Sequence, residues 1–219
     1  MYVDPVVMKG STHGKTACIQ CHTGATPTHE RPCDTVPSKV DCSICHAEVV
    51  ATYKTSIHGL LGSQGDPDTP DCLLCHGKHD VLPKTNPESR TFVRNIPDLC
   101  GTCHDEGGVA DKRYEGAQGN MVANYKQSVH GVGLAKAGLV VTATCVDCHS
   151  THGILPSKDV GSSVHRSKIS DTCATCHEGI DMAFRESIHF TGEAHDGHHL
   201  PICNDWHSSH EIARTNTEG

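Results

Sequence analysis

The chain is 219 residues long, but only 36% of its residues are apolar and only 4% are aromatic, too few for an ordinary hydrophobic core to offset the entropy of ordering the backbone. Its 14 cysteines and 19 histidines point instead to metals, disulfides or bulky cofactors as the source of a core. The net charge of −8, with no run of like charges, argues against nucleic-acid binding, which needs a basic face.

The N-terminal stretch MYVDPVVMKGSTHGK lacks the apolar core of a secretory signal. If the protein is exported, we expect either a signal that has been removed or another export route. No apolar stretch approaches the roughly 18 residues that span a bilayer, so we expect a soluble chain without a transmembrane segment.

A five-residue motif, Cys-x-x-Cys-His, occurs six times, as CIQCH, CSICH, CLLCH, CGTCH, CVDCH and CATCH. Its cysteines are Cys18, Cys21, Cys42, Cys45, Cys72, Cys75, Cys100, Cys103, Cys145, Cys148, Cys173 and Cys176. Its histidines are His22, His46, His76, His104, His149 and His177. This is the attachment signature of c-type haem, in which both cysteines form thioethers and the histidine is the proximal iron ligand. Zinc ribbons and redox disulfides need no histidine directly after the second cysteine, and a disulfide scaffold would scatter its cysteines more widely.

Histidines outside these motifs recur in register and are candidates for the second axial ligand of each iron. One type ends the pattern aromatic-basic-x-Ser-x-His, in YKTSIHG, YKQSVHG and FRESIHF. We call it the Ser-x-His histidine; a second type, the plus-three histidine, follows a motif histidine by three residues. The first copy is degenerate, with STHG and a histidine seven residues after His22. The eight candidates are His13, His29, His58, His79, His130, His152, His189 and His210.

The register predicts a single domain over 1–219, built of dihaem repeats at about 11–46, 53–104, 125–177 and 184–215. The best helical windows are AEVVATYKTSIH (47–58) and EGIDMAFRESIH (178–189), each about three turns long. Each helix would carry a proximal histidine at its start and a distal histidine at its end. Glycine, proline and polar turn signals dominate elsewhere. We therefore expect loops and short α-helices wrapped around a stacked haem chain, with little or no β-sheet, and a surface insertion at 105–120.

These motifs span nearly the whole chain and resemble those of the multihaem c-type cytochromes. The resemblance implies maturation outside the energy-transducing membrane. Seven haems in 219 residues would leave about 31 residues for each cofactor, so the porphyrins must nearly touch. Eight register histidines are enough to supply the second axial ligand of every iron, with the motif histidine as the first, which indicates an electron carrier and not an enzyme.

Haem density, loop-rich composition and the Ser-x-His-Gly pattern resemble the subunits of extracellular conductive cytochrome filaments. That resemblance implies a homopolymer in which a histidine, here His13 or His210, ligates a haem of the neighbouring subunit. It also implies electron exchange with redox proteins or an extracellular acceptor. The alternatives are a discrete periplasmic carrier, or an oxidoreductase acting on nitrogen or sulfur oxyanions. An oxidoreductase of that kind needs a five-coordinate haem, and the sequence contains no Cys-x-x-Cys-Lys motif.

The stretch CNDWHSSH, residues 203–210, has the position and flanking histidines of a seventh site but carries Trp206 in place of the second cysteine. Three interpretations remain open: a haem held by Cys203 alone with His207 on the iron, a misassigned cysteine, or a site without haem. We expect seven haems. Cys33 belongs to no motif and is either a free thiol or a partner for Cys203 if Cys203 holds no haem.

Overall fold

The computed structural model of the chain describes residues 3–24, 40–114, 116, 119–192 and 199–214. Within these ranges the backbone forms short helices, 3-10 turns and irregular connections, without a strand. The expected class, short helices and loops with little or no sheet, is confirmed for this part of the chain. The chain divides into two compact units, Met1–Phe92 and Val93–Gly219.

The first unit contains five described helices. They are α1 (Pro5–Gly10), α2 (Cys18–Cys21), α3 (Ser43–Thr55), α4 (Ile57–Ser63) and α5 (Cys72–His76). Three of them begin or end at residues of the haem motifs, so the motifs themselves determine where these helices lie.

The second unit contains seven described helices and three 3-10 turns. The helices are α6 (Ile96–His104), α7 (Met121–Gln127), α8 (Val129–Ala135), α9 (Cys145–His149), α10 (Ile169–Glu186), α11 (Ile188–Thr191) and α12 (Cys203–His207). The 3-10 turns are Val93–Asn95, Asp111–Arg113 and Arg166–Lys168. The segment predicted as an insertion, 105–120, is described except at residues 115, 117 and 118, and it contains the middle turn.

The serine of each Ser-x-His pattern separates two helices. Ser56 is extended, with φ −73° and ψ 162°, and lies between α3 and α4; Ser128 does the same between α7 and α8. The Ser128 hydroxyl donates to the carbonyl of Tyr125 at 2.7 Å and accepts from the amide of Gly131 at 3.1 Å. Serine is favoured at such N-caps because its side chain replaces a hydrogen bond that the first turn of a helix lacks.

The glycine after the histidine permits this tight reversal. A methyl group on Gly59 would overlap the Tyr53 carbonyl, and one on Gly131 would overlap the Tyr125 carbonyl in the same way. The tyrosine hydroxyls fix the following loop: Tyr53 donates to the carbonyl of Pro70 at 2.7 Å, and Tyr125 donates to that of Ala143 at 2.9 Å. The recurring tyrosine, serine and glycine therefore hold the histidine that lies between the serine and the glycine. We call this arrangement the Ser-x-His-Gly device.

The extended serine of each pattern corrects the expected helices over 47–58 and 178–189. The first helix ends at Thr55 and the second at Glu186, because Ser56 and Ser187 adopt extended backbone conformations. The distal candidates His58 and His189 therefore lie in the next helices, α4 and α11. The helices α3 and α10 are also kinked, at His46 and His177, both of which have non-helical backbone angles.

The protein core is thin. Among the described residues, the buried apolar side chains are those of Ile96, Val122, Tyr125 and Leu134. Large apolar side chains are exposed within the motifs themselves, including Ile19 at 53% and Ile44 at 59%. Such surface is the kind that a porphyrin face would cover, so the composition argument for a cofactor-built core holds in the folded chain. No helix in the described ranges combines the length and apolarity needed to cross a membrane.

Candidate haem-binding sites

The motifs that open a repeat form isolated single turns of helix. Before α5, the Asp71 carboxylate accepts from the amides of Leu73 and Leu74, at 3.0 Å each. After it, Gly77 takes a φ of 82°. In α9 the carboxylate of Asp147 accepts from the amide of Thr144 at 2.7 Å, and Ser150 follows at φ 65°. This single turn presents two cysteines and one histidine, and the positive φ then turns the chain away from the site.

The motifs that close a repeat lie within longer helices. His46 has φ −116° and ψ 44°, and His177 has φ −110° and ψ 41°. The helix is broken at each of these histidines and restarts directly after it. In these two repeats the helix that leads to the next Ser-x-His therefore starts immediately after the motif histidine.

Four motif histidines each face one distal candidate. The ring centroids of His22 and His79, of His130 and His177, and of His149 and His210 are 6.1 Å apart, and those of His13 and His46 are 6.2 Å apart. An imidazole nitrogen lies about 2 Å from a first-row metal ion, so imidazoles on opposite sides of one iron have centroids about 6 Å apart. The four pairs therefore have the separation of bis-histidine ligation.

A backbone contact that recurs in both units brings the distal histidines of two repeats together. In the first unit the amide of Thr12, next to His13, donates to the carbonyl of Val81 at 2.7 Å. In the second the amide of Val129, next to His130, donates to the carbonyl of Ile212 at 2.8 Å. Val81 and Ile212 each lie two residues beyond a plus-three histidine. One hydrogen bond thus holds a Ser-x-His segment against the segment carrying a plus-three histidine.

Partial burial favours the neutral form of four of these histidines. Burial lowers the pKa of His149 to about 4, with a smaller contribution from the neighbouring His210. Burial also lowers the pKa of His104, His130 and His210. A neutral imidazole is the form that ligates a metal, so this burial favours ligation.

The motif cysteines are free thiols, and the first cysteines of some successive motifs lie near one another. All thirteen described cysteines lack disulfide bonds. Cys72 influences the pKa of Cys42, Cys100 that of Cys145, and Cys203 that of Cys173. The candidate attachment points of these motifs are therefore close together, as a closely packed haem chain would require.

Comparisons with known proteins support the interpretation of the motifs as haem-binding. The family described as the doubled CXXCH motif matches residues 138–182, which contain CVDCH and CATCH. Two curated relatives, both named C-type polyheme cytochrome OmcB and from two strains of Geobacter sulfurreducens, are each 25% identical over 185 residues. These matches support a multihaem c-type cytochrome. The matched region covers 77% of this cytochrome but only 20% of each relative, so the cytochrome spans about a fifth of the relatives' length. No solved structure matches it significantly.

The seventh motif of the cytochrome has the backbone of the other repeat-opening motifs. α12 is a single turn, the Asp205 carboxylate accepts from the amide of Ile202 at 2.9 Å, and Ser208 takes a φ of 65° as Ser150 does. Arg166 holds the turn with two hydrogen bonds to Asp205, at 2.8 and 3.1 Å. The same guanidinium donates to the carbonyl of Leu200 at 2.8 Å. CNDWH is therefore folded as a haem motif, with Trp206 in the place of the second cysteine.

Not every predicted residue of the cytochrome falls into the four pairs. His58, His76, His104 and His152 are each engaged in other interactions. His189 contacts Trp206, with centroids 5.0 Å apart. His29 and Cys33 lie outside the described residues. The two alternative candidates for a ligand donated to a neighbouring subunit, His13 or His210, each face a motif histidine of their own chain.

Sequence patterns alone do not assign distal to proximal histidines, and they do not reveal the Arg166–Asp205 pair. The aspartate at the third position of the motif does indicate an N-cap for the helical turn that the motif forms. No sequence signal identifies Arg166, which is distant along the chain, as the partner of Asp205.

Proposed function

We propose that this cytochrome transfers electrons along a chain of closely packed bis-histidine c-type haems. Six are held by the complete motifs, and a seventh is held at the CNDWH motif by Cys203 alone with His207 on the iron. The observation that supports this proposal is the set of four histidine pairs at 6.1–6.2 Å. Two histidines fill both axial positions of an iron, which leaves no place for a substrate and favours a carrier over a catalyst.

The protein's own residues would fix the spacing of the haems and the surroundings of each iron. The nearness of the first cysteines in some successive motifs keeps attachment points together, and the Ser-x-His-Gly device orients the distal ligand at the start of a helix. Burial of pairs such as His149 and His210 favours the neutral form of their imidazoles. An iron held between them would lie in a low-dielectric environment, which is one of the factors that set the reduction potential of a haem.

We further propose that the chain acts outside the cytoplasm, at the cell surface or beyond it, as a subunit of a conductive cytochrome filament. The dihaem repeats and the density of motifs support this proposal. The structure makes His13 and His210 poor candidates for a ligand donated between subunits, since each has a partner within its own chain. A discrete periplasmic carrier is the alternative. Electron microscopy of native material separates the two, and a population of monomers alone would contradict the filament.

The ligation proposal is tested with the matured holoprotein. Near-infrared magnetic circular dichroism distinguishes bis-histidine ligation from histidine–methionine ligation, and we expect the former at the paired irons. His79→Ala should convert one low-spin haem to high spin, because His79 faces His22 at 6.1 Å. The matched variant His165→Ala alters a histidine outside the register and should leave the spectrum unchanged. A fully low-spin spectrum for His79→Ala would contradict the pairing.

A further inference from the structure

The basic residue of the aromatic-basic-x-Ser-x-His pattern forms an ion pair with the helix of the motif that closes the preceding repeat. Lys126 binds Asp98 at 2.9 Å, and Arg185 binds Asp171 at 2.6 Å. Each of these aspartates lies six residues before the histidine of a closing motif, which is CGTCH for the first and CATCH for the second. The two ion pairs therefore join equivalent points of two repeats.

In the later of these repeats the arginine reaches across the kink in α10. A straight α-helix that separates residues 14 apart is about 21 Å long, more than an arginine and an aspartate side chain can span. The break at His177 brings Asp171 and Arg185 together. The Nε of the same guanidinium donates to Asp181 at 2.6 Å. One guanidinium thus holds two carboxylates, one from each side of the CATCH motif.

Asp181 occupies a position that is apolar in the other copies. It lies three residues before the aromatic residue of the pattern, where the earlier copies have Val50 and Val122. Val122 is 4% exposed and belongs to the thin core, and the Asp181 side chain is only 12% exposed. Apolar residues in place of a buried ion pair are often neutral or stabilising. Stability alone therefore does not account for a carboxylate at this position.

This position adjoins the attachment cysteine of a closing motif. A methyl group added to Gly101, the residue after Cys100, would lie 3.4 Å from the Cγ1 atom of Val122. The valine side chain therefore packs on the CGTCH motif itself. Asp181 has the corresponding position relative to CATCH. Burial is the main reason that the pKa of Cys173 is raised to about 11, and the negative charge of Asp181 is among the smaller contributions.

The exchange of valine for aspartate leaves one uncompensated negative charge at the CATCH site. Two carboxylates share the single charge of Arg185, whereas Asp98 and Lys126 neutralise each other. Asp171 is 67% exposed, so water screens its charge far more than that of Asp181. Reduction of a ferric haem adds one electron, supplied by a neighbouring haem, and removes one positive charge from the iron. A buried anion close to the iron therefore favours the ferric state.

We propose that the Asp181 carboxylate lowers the reduction potential of the haem at the CATCH motif. The proposal deepens the proposed electron transfer and rests on a haem being bound at this motif. A unit charge about 10 Å from the iron, at an effective dielectric constant of about 20, changes the equilibrium constant for reduction roughly tenfold. For a one-electron couple, a tenfold change is about 59 mV.

The test is a potentiometric titration of the matured holoprotein, followed by electron paramagnetic resonance so that the one-electron steps of single haems are resolved. Asp181→Asn keeps an oxygen that can accept from Arg185 but removes the charge. We expect one step to move to a more positive potential by about 59 mV, the roughly tenfold change. Its haem should be the one that loses its low-spin signal in His130→Ala, because His130 faces His177 at 6.1 Å.

Three variants separate charge from structure. Asp181→Glu keeps the charge and should keep that step near its original potential. Asp181→Val installs the residue of the other copies and should give the same positive shift as Asp181→Asn. Asp171→Asn is the matched control, because it removes the other carboxylate on Arg185. Since Asp171 is largely exposed, its loss should change the same equilibrium constant by no more than about twofold.

Two results would overturn the proposal. One is that every step stays in place in both Asp181→Asn and Asp181→Val while all haems remain low spin, a result that leaves the electron-transfer function standing. The other is an equal shift in Asp181→Glu and Asp181→Asn, which would show that packing and not charge sets the potential. Haems that fail to exchange electrons with one another in the unaltered holoprotein would refute the proposed function instead.

Discussion

Gly131 offers a direct test of how the distal histidines are held. A methyl group at this position would overlap the carbonyl oxygen of Tyr125 and approach the Cα of Lys126 to 2.8 Å, and all of these atoms belong to the backbone. Gly131→Ala must therefore separate α8 from α7. It would also lengthen the hydrogen bond from the Gly131 amide to Ser128, now 3.1 Å.

The expected cost has two parts. Overpacking of a buried site lowers the free energy of unfolding by about 1–3 kcal/mol, and loss of a serine N-cap by about 1 kcal/mol. We therefore expect Gly131→Ala to lower it by about 2–4 kcal/mol. Because the adjacent residue is His130, the variant should also weaken the ligand opposite His177 and raise the high-spin fraction.

Gly133 provides the matched control in the same helix. Its nearest neighbour, the hydroxyl of Thr142, would lie 3.6 Å from an added methyl carbon, which is an ordinary contact. Gly133→Ala should leave stability unchanged or raise it by up to about 1 kcal/mol, since alanine favours helix. Denaturant unfolding followed by circular dichroism gives both values, and the Soret band reports spin state. Equal stability of the two variants would refute the account of the Ser-x-His-Gly device.

Three further predictions concern single contacts. Arg166→Gln should lower the free energy of unfolding by about 0.5–1 kcal/mol, because it removes a bidentate pair with Asp205 that is more than a third exposed, and the effect should shrink at high salt. Tyr125→Phe should cost about 1 kcal/mol by denaturant unfolding, because it removes a hydroxyl bond made in a largely buried site. The haem between His149 and His210, whose rings are 3° from parallel, should give a rhombic low-spin electron paramagnetic resonance signal that disappears in His210→Ala.

Each of these predictions has a control in the chain. Lys126→Met removes a more exposed ion pair, with Asp98 at 2.9 Å, and should change stability less than Arg166→Gln. Phe184→Tyr adds a hydroxyl at the equivalent position of the last Ser-x-His copy and should gain no stability, since that copy lacks the glycine on which the device depends. For the resonance signal, His13→Ala should leave the rhombic component intact, because His13 faces His46 at an interplanar angle of 65°. If a control variant has the larger effect in any of these three comparisons, the contact that the comparison tests does not play the role assigned to it.

The sequence alone determined the chemistry of this protein. The Cys-x-x-Cys-His motifs indicate c-type haem because the two cysteines and the histidine that attachment needs are neighbours along the chain, and a low apolar content favours a cofactor core. The register also identified His13, His79, His130 and His210 as ligand candidates. It placed CNDWH among the haem sites, which its backbone conformation supports.

The tertiary structure decided which histidines meet. His79 faces His22, and His210 faces His149, across repeat boundaries that no local pattern reveals. The pairing depends on backbone hydrogen bonds such as that from Val129 to Ile212, and these form only once the chain has folded. Local sequence fixes which groups can bind a metal, because ligand chemistry belongs to single residues. Folding fixes which groups share one iron, because that depends on distances between segments far apart in the chain.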